Sequence, residues 1–277
     1  MSFRRRLAKF PQEASRALGP LSAHEYQLLA SMYRNTDWMK TTDLERRSFR
    51  SFSQSNEDGI IAAIFDDLGM TSSGSFIEMG IGDGTENNTL LLALSGWTGV
   101  WYGGEKLAID LPTNGPLHFR QDWIDLDNIV SLKNQALQTL EKQNVDLFSL
   151  DLDRNDYHFA EKLLSDGFAP TVWVQEYNGV FGRHCEWIMP PDNTHKWLRN
   201  NNFGASYMSF VKLFERFHYR PVACSYNGAN VFFVRIDTNF SFPEDSVSLW
   251  RSPVYFEFRH AHAVTPRIFS GLTRQLR

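Results

Sequence analysis

The chain has little cysteine: Cys185 and Cys224 are the only two among 277 residues. That excludes a disulfide framework and a cysteine-built zinc site, and it fits a reducing cytoplasm. No apolar run approaches the roughly 20 residues needed to cross a bilayer. The opening MSFRRRLAKFPQEASRALG also lacks the apolar centre of a secretory signal. Neither charge sign dominates: 28 basic residues face 32 acidic ones, a net charge of −4. Bulk electrostatics therefore gives no reason to expect nucleic acid as a partner. The expectation is a soluble, cytoplasmic chain with enough length to bury a large α/β core.

Charge does concentrate at the start, where Arg4, Arg5, Arg6, Lys9 and Arg16 stand beside Phe3, Leu7 and Phe10. This reads as a solvated arm; weak contact with an anionic membrane or a lipid-linked substrate is the alternative. Residues 1–50 form a polar extension, helical in places, with apolar residues at helical spacing from Ala23 to Tyr33. Residues 51–240 carry the main domain, and 241–277 form a tail packed on it. Oligomerisation through the extension stays open.

From Ser51 the pattern changes. SFSQSNEDGIIAAIFDDLG predicts a helix with Ser55 as N-cap, Asp58 three residues on, and a stop at Gly69. The apolar runs SFIEMG, GVWYGGE, PLHFRQDW, VDLFSLDLD and TVWVQEYN alternate with helical stretches, the mark of parallel strands covered on both faces. After the helical ASYMSFVKLFERFHY, the segments PVACSY and NVFFVRI are joined by an Asn-Gly link and predict an antiparallel hairpin.

Strand, glycine turn and helix follow one another in SFIEMGIGDGTENNT, the order of a nucleotide-binding unit. A dinucleotide turn would read G-x-G-x-x-G, but Thr85 stands where its third glycine belongs. Glu78-Met79-Gly80-Ile81-Gly82-Asp83-Gly84 instead resembles the E-x-G-x-G-x-G turn of class I S-adenosylmethionine methyltransferases, most closely their FkbM-like branch. The resemblance covers roughly Ser51 to Asp237. It implies a Rossmann-like fold: a mostly parallel seven-stranded sheet with a C-terminal antiparallel hairpin and helices on both faces. It further implies O-methylation of a hydroxyl on a sugar, glycan or similar small polyol, with S-adenosyl-L-methionine as cofactor.

By that resemblance Gly80, Gly82, Asp83 and Gly84 lie under the methionine and ribose portions, and Glu78 meets the amino group of the cofactor. Glu105, closing the second strand, grips the ribose hydroxyls; Asp122 and Trp123 contact adenine. Gln54, Glu57 and Asp58 reach the methionine end, Asn88 caps the next helix and lines the pocket, and Asp151 is shared with the site of chemistry. Asn230, in the hairpin, is a further candidate facing it.

Acids crowd the ends of the fourth and fifth strands: Asp151, Asp153 and Asp156 in SLDLDRNDY, then Glu176 and Asn178 in QEYN. Like charges this close repel unless a cation, a donor or a proton intervenes. The set resembles the metal site of catechol-type methyltransferases, which implies Asp151 or Asp153, Glu176 and Asn178 as ligands for Mg²⁺, or else Mn²⁺. Here the fifth-strand pattern is Glu-Tyr-Asn, where that family has an adjacent Asp-Asn. Asp153 or Glu176 would act as general base, with Tyr157, His158 or His184 assisting. Phe181, Trp187, Trp197 and Tyr207 are candidates for the acceptor pocket. Two other readings stand beside this one: a cofactor-binding protein that has lost transfer, and a nicotinamide oxidoreductase.

Overall fold

The computed structural model describes residues 42–193 and 201–253. The basic arm, the expected helix at Ala23–Tyr33, Trp197 and residues 254–277 of the tail lie outside the described residues. The compact unit that holds the sheet begins at Thr42, ahead of the boundary read at residue 51.

Strands β1 (Ser75–Met79), β2 (Thr98–Gly103), β3 (Leu117–Gln121), β4 (Leu147–Leu150), β5 (Val172–Glu176), β6 (Tyr219–Cys224) and β7 (Asn230–Arg235) form a single sheet. Its order is β3-β2-β1-β4-β5-β7-β6. The first five strands run parallel; β7 is antiparallel to β5, and β6 to β7. This is the mostly parallel seven-stranded sheet with a terminal hairpin that the sequence predicts. Pro221 lies in β6, an edge strand, where a missing N–H costs little.

Side chains alternate across each strand and so divide the core. Ile77, Met79, Val100, Tyr102, Phe148, Leu150 and Trp173 face α4 (Ile129–Thr139), α5 (Asp156–Ser165) and α6 (Tyr207–Arg216). Phe76, Trp101, Leu147, Val172 and Val174 face α2 (Glu57–Asp67) and α3 (Leu90–Leu94). Burial on both faces is why these strands read as unbroken apolar runs. Phe214 of α6 stacks on Phe233 of β7, with centroids 4.0 Å apart, which fixes the hairpin against the helical layer.

The start of α2 differs from its expectation. Asn56, not Ser55, is the N-cap, and it makes no side-chain cap bond. The Asp58 carboxylate instead reaches back: its Oδ2 accepts from the amides of Ser51, Phe52 and Ser53 and from the Ser53 hydroxyl, at 2.7–2.8 Å. One carboxylate oxygen satisfying three amides outcompetes a serine cap, which satisfies one.

A short helix, α1 (Asp43–Arg47), ties the beginning of the domain to its end. Glu45, fully buried, receives two hydrogen bonds from Arg251 Nη2, at 3.0 and 2.7 Å. The other terminal nitrogen of Arg251 donates to the carbonyls of Ser248, Leu249 and Trp250. The backbone of Arg251 brackets the Tyr177 hydroxyl, which donates to its carbonyl at 2.9 Å and accepts from its amide at 3.2 Å. Tyr177 directly follows Glu176, so this clamp supports one of the candidate acids from behind.

Arg251→Ala removes the guanidinium that faces the buried Glu45 carboxylate, and is expected to destabilise by about 3–5 kcal/mol. The double variant Glu45→Gln with Arg251→Met should recover much of that loss. Urea unfolding of the three proteins tests it; a double variant no more stable than the single would show that the charge pair is not the source.

Candidate active site

Parallel α/β sheets bind ligands beyond the carboxyl ends of their strands, where the strand order reverses. Here that point lies between β1 and β4. The Asp151 amide donates to Met79 O at 3.0 Å, continuing the pairing past both strand ends. Gly80 has φ +104°, and a Cβ built there would sit 1.5 Å from the Asp151 carbonyl oxygen. Only glycine permits this approach. The first glycine of the motif thus packs the loop against the acidic segment. Gly82, at φ +55°, has open space where its Cβ would be, and it lines the cavity described next.

That cavity, about 420 Å³, runs from Gly80 and Gly82 past Gly104 and Glu105 to Asp122 and Trp123, and reaches Asp151 and Asp153. The size suits a small organic cofactor. Trp123 is largely exposed, and a Cβ built on Gly104 would lie 3.4 Å from its ring. A second cleft, about 360 Å³, is lined by Ile61, Ala63, Phe65, Leu92 and Trp97; none of the clustered carboxylates lines it.

Glu78 is buried, and both its oxygens are engaged inside the protein. Oε1 accepts from the Asn88 amide at 2.8 Å and Oε2 from the Thr89 hydroxyl at 2.5 Å. The Thr89 hydroxyl in turn accepts from Trp101 Nε1 at 2.7 Å. Burial pushes the Glu78 carboxyl up to about 7, against these hydrogen bonds. Any contact with a ligand's amino group would be additional to this latch on the start of α3. The Asn88 side chain donates to Ser149 Oγ at 3.0 Å rather than capping α3, whose N-cap is Thr89; Asn87 Oδ1 accepts from the Leu90 amide at 2.9 Å. Asp83 turns inward on its own loop, accepting from the Thr85 amide and hydroxyl.

Asp151, Asp153 and Glu176 meet at the strand ends, each offering a carboxylate oxygen within 4.8 Å of the others. Burial raises Asp151 and Glu176 well above their ordinary values; the charges of Asp153 and Asp156 raise both further, and that of Asp151 adds to this at Glu176. Asp153, the exposed member, is raised by desolvation. It stands at φ +62°, in the left-handed region that non-glycine residues enter at a cost. Glu176 Oε2 is buried with no hydrogen-bond partner.

Two residues that the sequence patterns left without a role shape this loop. The buried Asp156 accepts from the Leu152 and Arg154 amides at 2.9 and 2.6 Å, which folds 152–156 into a tight turn. Its carboxyl is pushed up to about 6 by burial, against those bonds. Its place three residues after Asp153 was the available signal. Arg154, also buried, lines the cavity.

The structure does not gather every candidate. Asn178 donates to the carbonyls of Asn201 and Phe203 at 2.8 and 3.1 Å and accepts from the Val180 amide, so its amide holds loops together. Tyr157 lies on a different cleft with Trp187 and Lys212, its hydroxyl influenced by Glu161 and Arg216. His158 bonds the Met189 carbonyl at 2.8 Å. His184 is exposed in the loop after β5. Phe181 and Trp187 stack at 4.5 Å, whereas Tyr207 is a fully buried core residue.

Beside the acids, the hairpin meets the segment before α2. Gln54 accepts from Asn227 Nδ2 at 2.6 Å, and Glu57 accepts from Asn230 Nδ2 at 3.3 Å and from the Ser55 amide at 2.6 Å. Burial raises the Glu57 carboxyl. Asn230 pairs with Glu176 across the β5–β7 ladder, so the two side chains share a face.

No family model and no curated protein matches the chain. Among solved structures, 63 chains match. One is the Burkholderia thailandensis 1,6-didemethyltoxoflavin-N1-methyltransferase, with its substrate and S-adenosylhomocysteine bound. It is 10% identical over 79% of this chain and 92% of its own, with a TM-score of 0.37. An O-methyltransferase family protein from the same organism is 12% identical over 78% and 72%, TM-score 0.35. CalO1, a methyltransferase in calicheamicin biosynthesis with S-adenosylhomocysteine bound, is 14% identical over 83% and 68%, TM-score 0.35. Similarity this distant assigns no residue and no substrate; the chain's own geometry has to do so.

Gly80→Ala is expected to prevent native packing of the loop, because the clash is with backbone. Gly82→Ala should fold at a cost of about 1–2 kcal/mol for the left-handed backbone, yet lose ligand affinity by filling the cavity floor. Thermal melts with and without S-adenosylhomocysteine separate the two effects.

Glu78 also sets a pH dependence. Its folded-state pKa lies above the ordinary 4.5, so its contribution is complete below pH 4.5 and is lost as pH rises through about 7. The loss is on the order of 3 kcal/mol for a shift of this size. Glu78→Gln should melt with a flatter pH profile than the wild type between pH 5 and 8. Parallel profiles would remove Glu78 as the titrating group.

Proposed function

We propose that the protein is an S-adenosylmethionine-dependent O-methyltransferase of the FkbM-like kind, acting on a hydroxyl of a sugar, glycan or small polyol. The observation that carries this reading is one continuous cavity. It joins the glycine loop, a strand-end carboxylate, an exposed indole and a cluster of acids in the order such a cofactor and its acceptor require. Gly80 and Gly82 would floor the methionine and ribose portions, Glu105 would accept from the two ribose hydroxyls, and Trp123 would cover the adenine. The exposed, unpaired thiol of Cys185 accords with a reducing compartment. Among the described residues no helix is long and apolar enough to cross a membrane.

When bound, S-adenosylmethionine supplies a methyl group on a positively charged sulfur. The acceptor oxygen forms the new C–O bond as the C–S bond breaks, and the hydroxyl proton must leave. A carboxylate whose pKa is raised toward neutrality is a better proton acceptor than an ordinary one. Burial raises Glu176 and Asp153 in that direction, and Asp151 stands beside them in the same cluster. The buried Tyr177 holds Glu176 in place through Arg251, and the left-handed backbone at Asp153 directs the chain around the cluster.

A divalent cation fits the donor set. Three carboxylates converge, Glu176 Oε2 lacks a partner, and the crowded charge calls for a counter-ion. Asp151, Asp153 and Glu176 would hold it, Mg²⁺ in preference to Mn²⁺, and it would lower the pKa of a coordinated hydroxyl. Asn178 could join only by changing its present hydrogen bonds.

Calorimetry should show S-adenosylhomocysteine binding at micromolar Kd; no binding would sink the proposal. Asp153→Asn and Glu176→Gln should each reduce methyl transfer by about 10²-fold or more while leaving cofactor affinity within a few-fold. For the cation, titrating Mg²⁺ into the protein alone should give binding heat, part of it varying with buffer through proton release because burial and crowding raise these carboxyls. No binding heat would remove the metal and leave the transfer reading standing.

A further inference from the structure

Arg154 stands out because it is a cation in the wrong company. It is 7% exposed, yet Nε and Nη1 have no hydrogen-bond partner. Nη2 reaches Asp192 Oδ2 at 3.4 Å, long for a charge-assisted bond. Asp192 is half in solvent, and burial lowers the guanidinium pKa against its charge. A guanidinium taken out of water with most of its fork vacant is costly and persists only where something is gained.

The surroundings hold this residue in place. Its amide donates to Asp156 Oδ2 at 2.6 Å, and its carbonyl accepts from the Gly204 amide at 3.0 Å, so the backbone is fixed from both sides. Asn155 makes two bonds to the backbone of residue 192, donating to its carbonyl and accepting from its amide, both at 3.0 Å. That double bond sets the Asp192 segment as the opposite wall. Between them lies the cavity that also holds Asp151 and Asp153.

We infer that Arg154 is a specificity residue that receives an oxyanion carried by the methyl acceptor, a carboxylate or a phosphate attached to the sugar or polyol. This rests on the methyltransferase reading and narrows its substrate to anionic acceptors. The planar fork of arginine matches two oxygens of either group. A site that leaves such a fork unpaired discriminates strongly against an analogue lacking the oxyanion. Arg154 and Asp153 line the same cavity, so an acceptor whose oxyanion the guanidinium held would bring a hydroxyl over Asp153.

The test uses the intact protein with a chelator present, so that no cation bridges the ligands. Binding of D-glucuronate, glucose 6-phosphate, D-glucose, acetate and inorganic phosphate is measured by calorimetry or ligand-observed magnetic resonance. At least one oxyanion-bearing sugar should bind about tenfold tighter than glucose, the scale of one charged hydrogen-bonded pair. Which of the two sugars binds distinguishes carboxylate from phosphate. Arg154→Gln should abolish the preference, and Arg154→Lys should retain part of it. S-adenosylhomocysteine affinity should stay within twofold in both.

Equal binding of charged and neutral sugars by the wild type, or no oxyanion binding at all, overturns the inference without any variant needing to fold. So does a preference that survives in Arg154→Gln. If that variant weakens S-adenosylhomocysteine but not 5′-methylthioadenosine, which lacks the carboxylate, Arg154 belongs to the cofactor and the inference also falls. Loss of the methyltransferase reading would appear separately, as absent S-adenosylhomocysteine binding in the wild type.

Discussion

The contact between Gly80 and the Asp151 carbonyl is the constraint on which the site depends. It brings the loop after β1 against the loop after β4 with no room for a single carbon between them. Because of it, the glycine floor and the acids line one cavity rather than two. Separation by even one side chain would detach a ligand held over Gly82 from the groups at Asp151 and Asp153. The glycines are thus a matter of distance as much as of conformational freedom.

Charge is the second theme. The strand ends carry carboxyls that burial and repulsion push upward, together with a left-handed aspartate and a guanidinium two of whose nitrogens have no partner. Each lowers the stability of the fold, and such features gather where structure serves chemistry. The stabilising interactions lie elsewhere: unbroken apolar strands between helical layers, the Asp58 turn and the Glu45–Arg251 pair. Stability and function draw on different parts of the chain.

The fold was legible because its signals are local. Continuous apolar runs, helical spacing and the Asn-Gly link marked all seven strands and the hairpin, and the ends of β4 and β5 were visible as acids following those runs. What stayed hidden depends on where side chains point once the chain has folded. Ser55 read as a cap until Asp58 was seen to gather three amides. Glu78 read as a ligand for the cofactor, yet it fastens α3 through Asn88 and Thr89. Tyr157 and His158 follow the acidic segment in sequence but turn onto other surfaces of α5. Asn178 stands two residues from Glu176 and is spent on loop carbonyls. Arg154 stands among acids in the sequence with nothing to mark it; its burial is a property of the packed loop and leaves no trace in spacing.

The Glu45–Arg251 pair joins positions 206 residues apart. A bond spanning so much chain gains nothing until the sheet between has already shortened the path, since an open loop of that length is entropically costly to close. It therefore adds stability only where the sheet between the two residues is formed. Tyr177 is bracketed by the same arginine, so the backing of Glu176 depends on a residue far along the chain. Damage near residue 251 would reach the acids without touching the cavity that they line.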